Sequence, residues 1–461
     1  MDKTFDVIVI GSGAAGLSAA YGAASQGARV ALIERSHYLG GECPNTACIP
    51  TQTLLRVAKI YSLLQHADQF GLEAGSATFN YQKISAHKDH IVAQTAGRQL
   101  TASTLATAGI TLIHGAAQFV DIHTIMVGNE RYTGRQFVIA TGSRPQILPI
   151  EGLADTPYLT HEGMLVLKAV PRSLVILGGG PIGVEFAQLM AIFGSDVTLL
   201  EYCEELLPQE DSDAAALIAA QLRGFGVTVV TGFKAEQISG NTTEVTVRGQ
   251  HGKVTQAYSA SQLLVATGMV PNIDSLNLDR IGVAADHAGI TTDDQLRTTV
   301  PHIWAVGDVT CHPRFTHTAH YEGTIVAHNL MHQDKRSLDL RVIPHALATV
   351  PEIACVGATE AKLKQAARQF VIGRAQIETL GRALVDQEQT GFVKLIADAV
   401  TGQILGCTIA APHAAEMIHE VAVAMKCAMP VQKLIELIHA YPTYAEAVAI
   451  AAADAAAQLE S

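Results

Sequence analysis

Two cysteines, Cys43 and Cys48, flank four residues in GGECPNTACIP, between the pair Gly40 and Gly41 and an Ile-Pro step. Thiols at this spacing could clip a metal, cross-link the chain or cycle between disulfide and dithiol. On an ideal helix, residues five apart have Cα atoms roughly 8–9 Å apart, and a disulfide wants less than about 7 Å. A bond therefore requires an irregular first turn, and Pro44 is placed to make one. No second cysteine or histidine pair lies close in sequence to complete a closed zinc site. A bond held in an irregular turn is a redox device rather than a staple where the surroundings are reducing. The residues thus favour a redox pair, and a redox pair needs a source of electrons.

That source is written twice. The apolar strand Phe5–Ile10 runs into GSGAAG, which supplies Gly11, Gly13 and Gly16, then a helix to about Gln26 and a strand Arg29–Ile33 ending at Glu34. Strand, glycine loop, helix, strand and acid in this order form a dinucleotide-binding unit. The first glycine makes the turn, the second admits a pyrophosphate, the third packs helix on strand, and the acid takes a ribose hydroxyl. The pattern recurs from Leu174–Leu177 through Gly178, Gly180 and Gly183, a helix to about Phe193, and Val197–Leu200 ending at Glu201. Two such sites point to electron transfer between two cofactors. Glu201 would repel a 2′-phosphate, and Tyr202, Cys203, Glu204 and Glu205 bring no cation, which favours NADH over NADPH at the second site.

The rest of the chain bounds these readings. At 461 residues it is too long for one core, and three or so domains are expected. With 48% hydrophobic and 16% charged residues it reads as soluble and well buried. A net charge of −12 argues against a nucleic-acid partner. Seven scattered cysteines are no secreted disulfide framework, and neither a leader nor a membrane span is visible, so a cytoplasmic location is expected. The alanine-rich end, AVAIAAADAAAQ, reads as a helix packed on protein. Cys203, Cys355, Cys407 and Cys427 stand singly in apolar surroundings and read as buried small hydrophobes. His312, His317, His320, His328 and His332 crowd one segment; His328 and His332 have a helical metal-binding spacing, but nothing near in sequence completes the set.

Together these motifs resemble the pyridine nucleotide-disulfide oxidoreductases over essentially the whole chain. The resemblance extends to two ATG strand ends (Ala140, Thr141, Gly142 and Ala266, Thr267, Gly268), to IWAVGDVT with Gly307 and Asp308, and to PEIACVGATE, Pro351 to Glu360. It implies an α/β fold with two Rossmann-like dinucleotide-binding domains, for FAD and NAD(P), plus a C-terminal α+β dimerisation domain. FAD would be bound by residues 1–147 and again by 269–341, the nicotinamide nucleotide by 148–268, and the dimer formed by 342–461. Gly41 would join the first glycine loop at the FAD, and Asp308 would hold the ribityl chain. Cys48 would face the flavin and Cys43 the acceptor, in a homodimer whose partner completes each site.

Two departures bear on function. Where the family carries a lysine beside the flavin, paired with a glutamate matching Glu185, this chain has Gln52, which implies a lower flavin potential. Where disulfide reductases of the family carry an acid-base histidine with its orienting glutamate, this chain has Tyr441 with Glu446. A phenol is a poor proton shuttle at neutral pH. His439, near the end of the apolar-periodic stretch Val431 to Ala440, reads as a helix C-terminal histidine rather than a substitute. Tyrosine at that position is similar to the mercuric-reductase-like subgroup, although the C-terminal cysteine pair and N-terminal metal-binding domain of typical members are missing. The expectation is an FAD- and NAD(P)H-dependent oxidoreductase passing electrons through Cys43 and Cys48 to a soft metal ion, held as substrate on those thiols, or to a thiol-bound metal. The alternatives are a dihydrolipoamide dehydrogenase-like disulfide reductase, and a redox sensor or diaphorase that bypasses the cysteines.

Overall fold

Apolar β-branched runs build the first sheet. In the computed structural model, which describes residues 3–73, 75–96 and 100–459, β1 (Thr4–Ile10) is buried along its apolar length and pairs in parallel with β2 (Val30–Glu34) and with Glu130–Ile139. Strands covered on both faces need such continuous apolar sequence rather than alternation. The seven-stranded sheet runs Ile110–His114, β2, β1, Glu130–Ile139, Thr124–Val127 and Ala117–Asp121, with Ile303–Ala305 also on Glu130–Ile139. Between β1 and β2 lies α1 (Ala14–Ala24), whose alanines and Gly22 let it lie close on the helix Thr316–Met331: a Cβ at Gly22 would stand 2.4 Å from that of Ala327. The stretch that carries Cys43 and Cys48 follows β2 as α2 (Glu42–Thr46) and α3 (Cys48–Gln65).

Contacts divide the chain into two units, 1–54 with 82–147 and 268–339, and 55–81 with 148–267 and 340–461. The first holds the sheet just described. The second holds a parallel four-stranded sheet in the order Thr228–Val230, Asp196–Leu200, Ser173–Leu177, Gln262–Val265, beside a three-stranded antiparallel meander. It also holds an antiparallel sheet in the order His345–Leu347, Glu352–Gly357, Ile404–Ala411, Phe392–Asp398, Phe370–Gln376. The helices Ala414–Lys426 and Glu446–Leu459 bury their apolar faces on this last sheet. The alanine-rich end is thus a packed helix, and among the described residues no helix is long and apolar enough to cross a membrane.

Candidate functional site

The first glycine loop is shaped by positions where no side chain fits. Gly11 has φ +107°, and a Cβ there would lie 2.2 Å from the Ala140 carbonyl oxygen; one on Gly16 would lie 1.9 Å from the Gly11 carbonyl oxygen. The loop is tied to the sheet by Gly11 N–H donating to Ile33 O (2.8 Å) and Ala140 N–H to Ile10 O (2.8 Å). Gly13 then caps α1 in an extended conformation, leaving the helix N-terminus open. Glu34 braces the loop: one carboxylate oxygen accepts from Ser12 N–H (2.8 Å) and Ser12 Oγ–H (2.7 Å), the other from Ser36 N–H (2.7 Å). Gly41, also at positive φ, brings the cysteine-bearing stretch so near that a Cβ on it would stand 2.8 Å from the Gly13 Cα.

The second loop repeats this geometry in the other unit. Cβ atoms on Gly178 and Gly183 would lie 2.3 Å from Ala266 O and 1.9 Å from Gly178 O, and Gly180 caps the helix Pro181–Ile192. Glu201 accepts from the N–H groups of Gly179 (2.5 Å) and Cys203 (2.7 Å). Each cradle would be filled by one methyl group at its turn, and each opens on a helix N-terminus, which fits a pyrophosphate.

The thiols lie beside the first cradle. The chain leaves helical geometry at Ala47 (φ −138°, ψ −98°), which ends α2 and lets α3 start at Cys48. An irregular turn is therefore present, but it lies at Ala47, one residue before the second cysteine, while Pro44 sits within the first turn of α2. Both cysteines stand as half-buried thiols. Hydrogen bonding from the Cys48 thiol, opposed by burial and helped by Thr316 Oγ–H and Cys48 N–H, lowers the Cys43 pKa from 9.0 to about 6. Thr316 opens the helix Thr316–Met331, with its Oγ1 3.9 Å from Cys48 Sγ, so that helix points its positive end at the pair.

Several residues not foreseen hold this region together. Asn272 Nδ2–H donates to Thr141 O (3.0 Å) and Ser143 O (2.8 Å), while Thr141 Oγ–H donates to Asn272 O (2.8 Å), fixing the turn at Thr141 and Gly142. Ser143 Oγ–H donates to Asp308 (2.9 Å), whose pKa burial raises. Buried Glu322 accepts from Gly307 N–H (2.5 Å) and meets His312 Nδ1 at 2.9 Å. Arg314 donates to the carbonyls of Met269 and Ala288, both at 2.7 Å, close to Gly268. Asn272 was detectable, since it closes ATGMVPN after the second ATG; Thr316, Glu322 and Arg314 carry no local motif.

The remaining candidates fall in the second unit, except Gln52, which is exposed on α3. Glu185 is partly buried and accepts from Ala348 N–H (3.0 Å); burial pushes its pKa up to about 7 against that bond. Tyr441 is 80% exposed and precedes Pro442. Glu446 opens the C-terminal helix and accepts from Thr443 N–H (2.8 Å). The helix Val431–Ile435 stops short of His439, which corrects the reading of that residue as a helix terminus: its Nε2 lies 2.8 Å from Glu420. The crowded histidines do not gather. His320 meets Ser18, His317 stacks on Phe315 and His328 stacks on His332. The lone cysteines are not uniformly buried either: Cys427 is exposed, Cys203 half-buried, and Cys355 touches polar groups.

Comparison with known proteins agrees with the geometry. The family model for the pyridine nucleotide-disulphide oxidoreductases matches residues 5–323, and that of their dimerisation domain residues 343–452. Mercuric reductase of Staphylococcus aureus is 34% identical over 98% of this chain and 82% of that protein. Dihydrolipoyl dehydrogenase of Chlorobaculum tepidum is also 34% identical, over 98% of this chain and 97% of its own. Among solved structures, the HOCl-induced flavoprotein disulfide reductase RclA from Escherichia coli superposes with a TM-score of 0.87 at 32% identity, covering 97% of this chain and 99% of that one. RclA was also solved as a Cu(II) complex, with a TM-score of 0.86. The chain belongs to the pyridine nucleotide-disulphide oxidoreductases, a family of FAD-dependent enzymes that use NAD(P)H.

Proposed function

We propose that this enzyme uses NADH to reduce a soft metal ion, or a thiol-bound metal, through Cys43 and Cys48. When bound, FAD would accept hydride from the nicotinamide and pass the electron pair to the disulfide. Gly11, Gly13, Gly16, Glu34 and Gly41 would hold its diphosphate end, and Asp308, steadied by Ser143, its polyol chain. Gly178, Gly180, Gly183 and Glu201 would hold the nicotinamide nucleotide. The Glu201 carboxylate favours a free 2′-hydroxyl over a 2′-phosphate, so kcat/KM with NADH should exceed that with NADPH.

Cys43, already largely thiolate near neutral pH, would bind the acceptor, and Cys48 and Thr316 would hold its charge. The observation that carries the choice of acceptor is at residues 441–446. Tyr441 replaces the acid-base histidine, Glu446 accepts from the preceding Thr443 N–H, and His439 is engaged with Glu420. Disulfide exchange must protonate a leaving thiol, whereas a thiolate-bound cation needs no such proton. The solved Cu(II) complex of RclA makes Cu(II) a fitting probe alongside Hg(II).

The test compares NADH-driven turnover of Hg(II), Cu(II) and lipoamide in the protein and in Tyr441→His. Metal reduction with weak lipoamide turnover that Tyr441→His raises is the expected result. Lipoamide turnover already equal to that of Tyr441→His would make the enzyme a disulfide reductase of the dihydrolipoyl dehydrogenase type. Unchanged acceptor reduction in Cys48→Ser would exclude the relay altogether and leave a diaphorase. Partner-completed sites are also proposed: exposed apolar side chains at Val423, Leu437 and Ile438 lie in the same region as Tyr441 and need a cover. Light scattering should therefore report a homodimer. The cytoplasm is the compartment that would keep the thiols reduced.

A further inference from the structure

One row of residues crosses the C-terminal antiparallel sheet against its apolar pattern. Strand register pairs His345 with Cys355, Cys355 with Thr408, Thr408 with Lys394, and Lys394 with Arg374. Directly paired residues point to one face, so these five side chains stand in line. The acidic segment 210–213 lies along the row. Lys394 meets Asp211 at 2.9 Å, Asp213 at 3.0 Å and Glu360 at 2.6 Å, and Arg374 meets Asp213 at 2.7 Å. At that end the acids have fixed cations.

The other end is different. Glu210 places its two carboxylate oxygens 3.0 and 2.9 Å from His345 Nε2 and hydrogen-bonds the Cys355 thiol, with Lys362 acting on it only through space. The Glu210, His345 and Cys355 side chains are 8%, 20% and, for the whole residue, 5% exposed. One ligand atom from each lies within 4.8 Å of the other two. Around a tetrahedral ion with bonds of about 2.0–2.3 Å, donors sit roughly 3.3–3.8 Å apart. Small side-chain rotations would close that difference.

We propose that Glu210, His345 and Cys355 form a binding site for a divalent cation of borderline softness, Zn(II) in particular, with water in the fourth position. Mixed oxygen, nitrogen and sulfur donors in a tetrahedral set select such an ion over Mg(II) or Ca(II). Binding expels the Cys355 thiol proton to solvent, and His345 coordinates through Nε2 as the neutral imidazole with its proton on Nδ1. The Cys355 thiolate and Glu210 carboxylate then balance the two charges of the ion, and no electron moves. The ion would staple the segment after Asp196–Leu200 to the edge strand His345–Leu347, both within the second unit.

The test uses FAD-loaded protein with Cys43→Ser and Cys48→Ser, so that the redox thiols bind no metal, and titrates it with Co(II) as the spectroscopic probe. The expected result is one equivalent bound, with tetrahedral ligand-field bands beyond the flavin absorption that Zn(II) abolishes. His345→Gln and Cys355→Ser should each weaken Co(II) at least about tenfold, and exposed Cys427→Ser should not. Absence of a stoichiometric site, or one unaffected by His345→Gln and Cys355→Ser, would show the three groups to be a hydrogen-bonded cluster only. If Cys355→Ser does not fold, the edge-strand substitution His345→Gln decides by itself.

Discussion

The acidity of Cys43 is the property on which the proposed relay most depends, and it can be measured directly. A thiol whose pKa is lowered from 9.0 to about 6 is about 90% thiolate at roughly pH 7, against about 1% for the unshifted group. Intrinsic nucleophilicity falls as the pKa falls, with a Brønsted coefficient of about 0.4–0.5, so that shift costs roughly 16- to 32-fold per thiolate. The net gain in alkylation rate near neutrality is then only about three- to sixfold. Absolute rate is therefore a poor readout, and the pH midpoint is the good one. In dithiol enzyme treated with iodoacetamide, with modification at Cys43 quantified by mass spectrometry, the rate should titrate with a midpoint near 6. Thr316→Val removes a hydroxyl donor and should move the midpoint up. Cys48→Ala removes the largest contribution and should move it further. A midpoint near 9 in the unaltered protein, or one indifferent to both substitutions, would refute the reading of the pair as a preformed thiolate site.

Three further outcomes are expected. Glu185, raised to about 7 by burial, binds a proton that the unfolded chain releases above about pH 4.5, so the folded state loses stability as pH rises from there through about 7. Melting temperatures of the protein and of Glu185→Gln should diverge across that window in favour of the variant, and a constant difference would contradict the burial argument. Lys394→Met strands Asp211, whose side chain is 2% exposed, and should cost about 3–5 kcal/mol in denaturant unfolding; a loss below about 1 kcal/mol would place the cluster with surface ion pairs. Gln52→Lys, which restores the cation that the family carries, should raise the flavin midpoint potential in potentiometry, and equal midpoints would show that the missing charge is without effect.

The parts of the site legible in the sequence are those in which backbone geometry dictates residue type. Gly11 and Gly178 adopt positive φ against a carbonyl oxygen, a condition only glycine meets, so both cradles are spelled out locally and identically. The break between α2 and α3 meets the demand for an irregular turn but falls at Ala47, which no local residue signal marks. What was not legible depends on register or on long loops. Thr316 lies 268 positions from Cys48 and becomes its neighbour only through the packing of its helix. Lys394 sits in a strand that is otherwise apolar up to its last residue, Asp398, and its meaning emerges only when strands align it with Thr408 and Arg374. Cys355 read as a buried hydrophobe for the same reason, since His345 and Glu210 reach it across a strand pair and from a distant loop. His439 was misplaced because apolar periodicity continues past Ile435 after the helix itself has ended.

The departure at Tyr441 acquires a physical sense once the thiols are placed. An acid-base histidine serves disulfide exchange twice, drawing a proton from the attacking thiol and returning one to the thiol that leaves. Here the first task is eased: hydrogen bonds from Cys48 and Thr316 lower the Cys43 pKa to about 6 without any base. The second task exists only when the acceptor is a disulfide. A cation bound through sulfur accepts electrons and departs with no sulfur leaving group to protonate. Tyrosine at 441 therefore removes a group that a thiol substrate requires and a metal substrate does not. Glu446, with no imidazole at 441 to orient, accepts instead from Thr443 N–H in the turn before its helix.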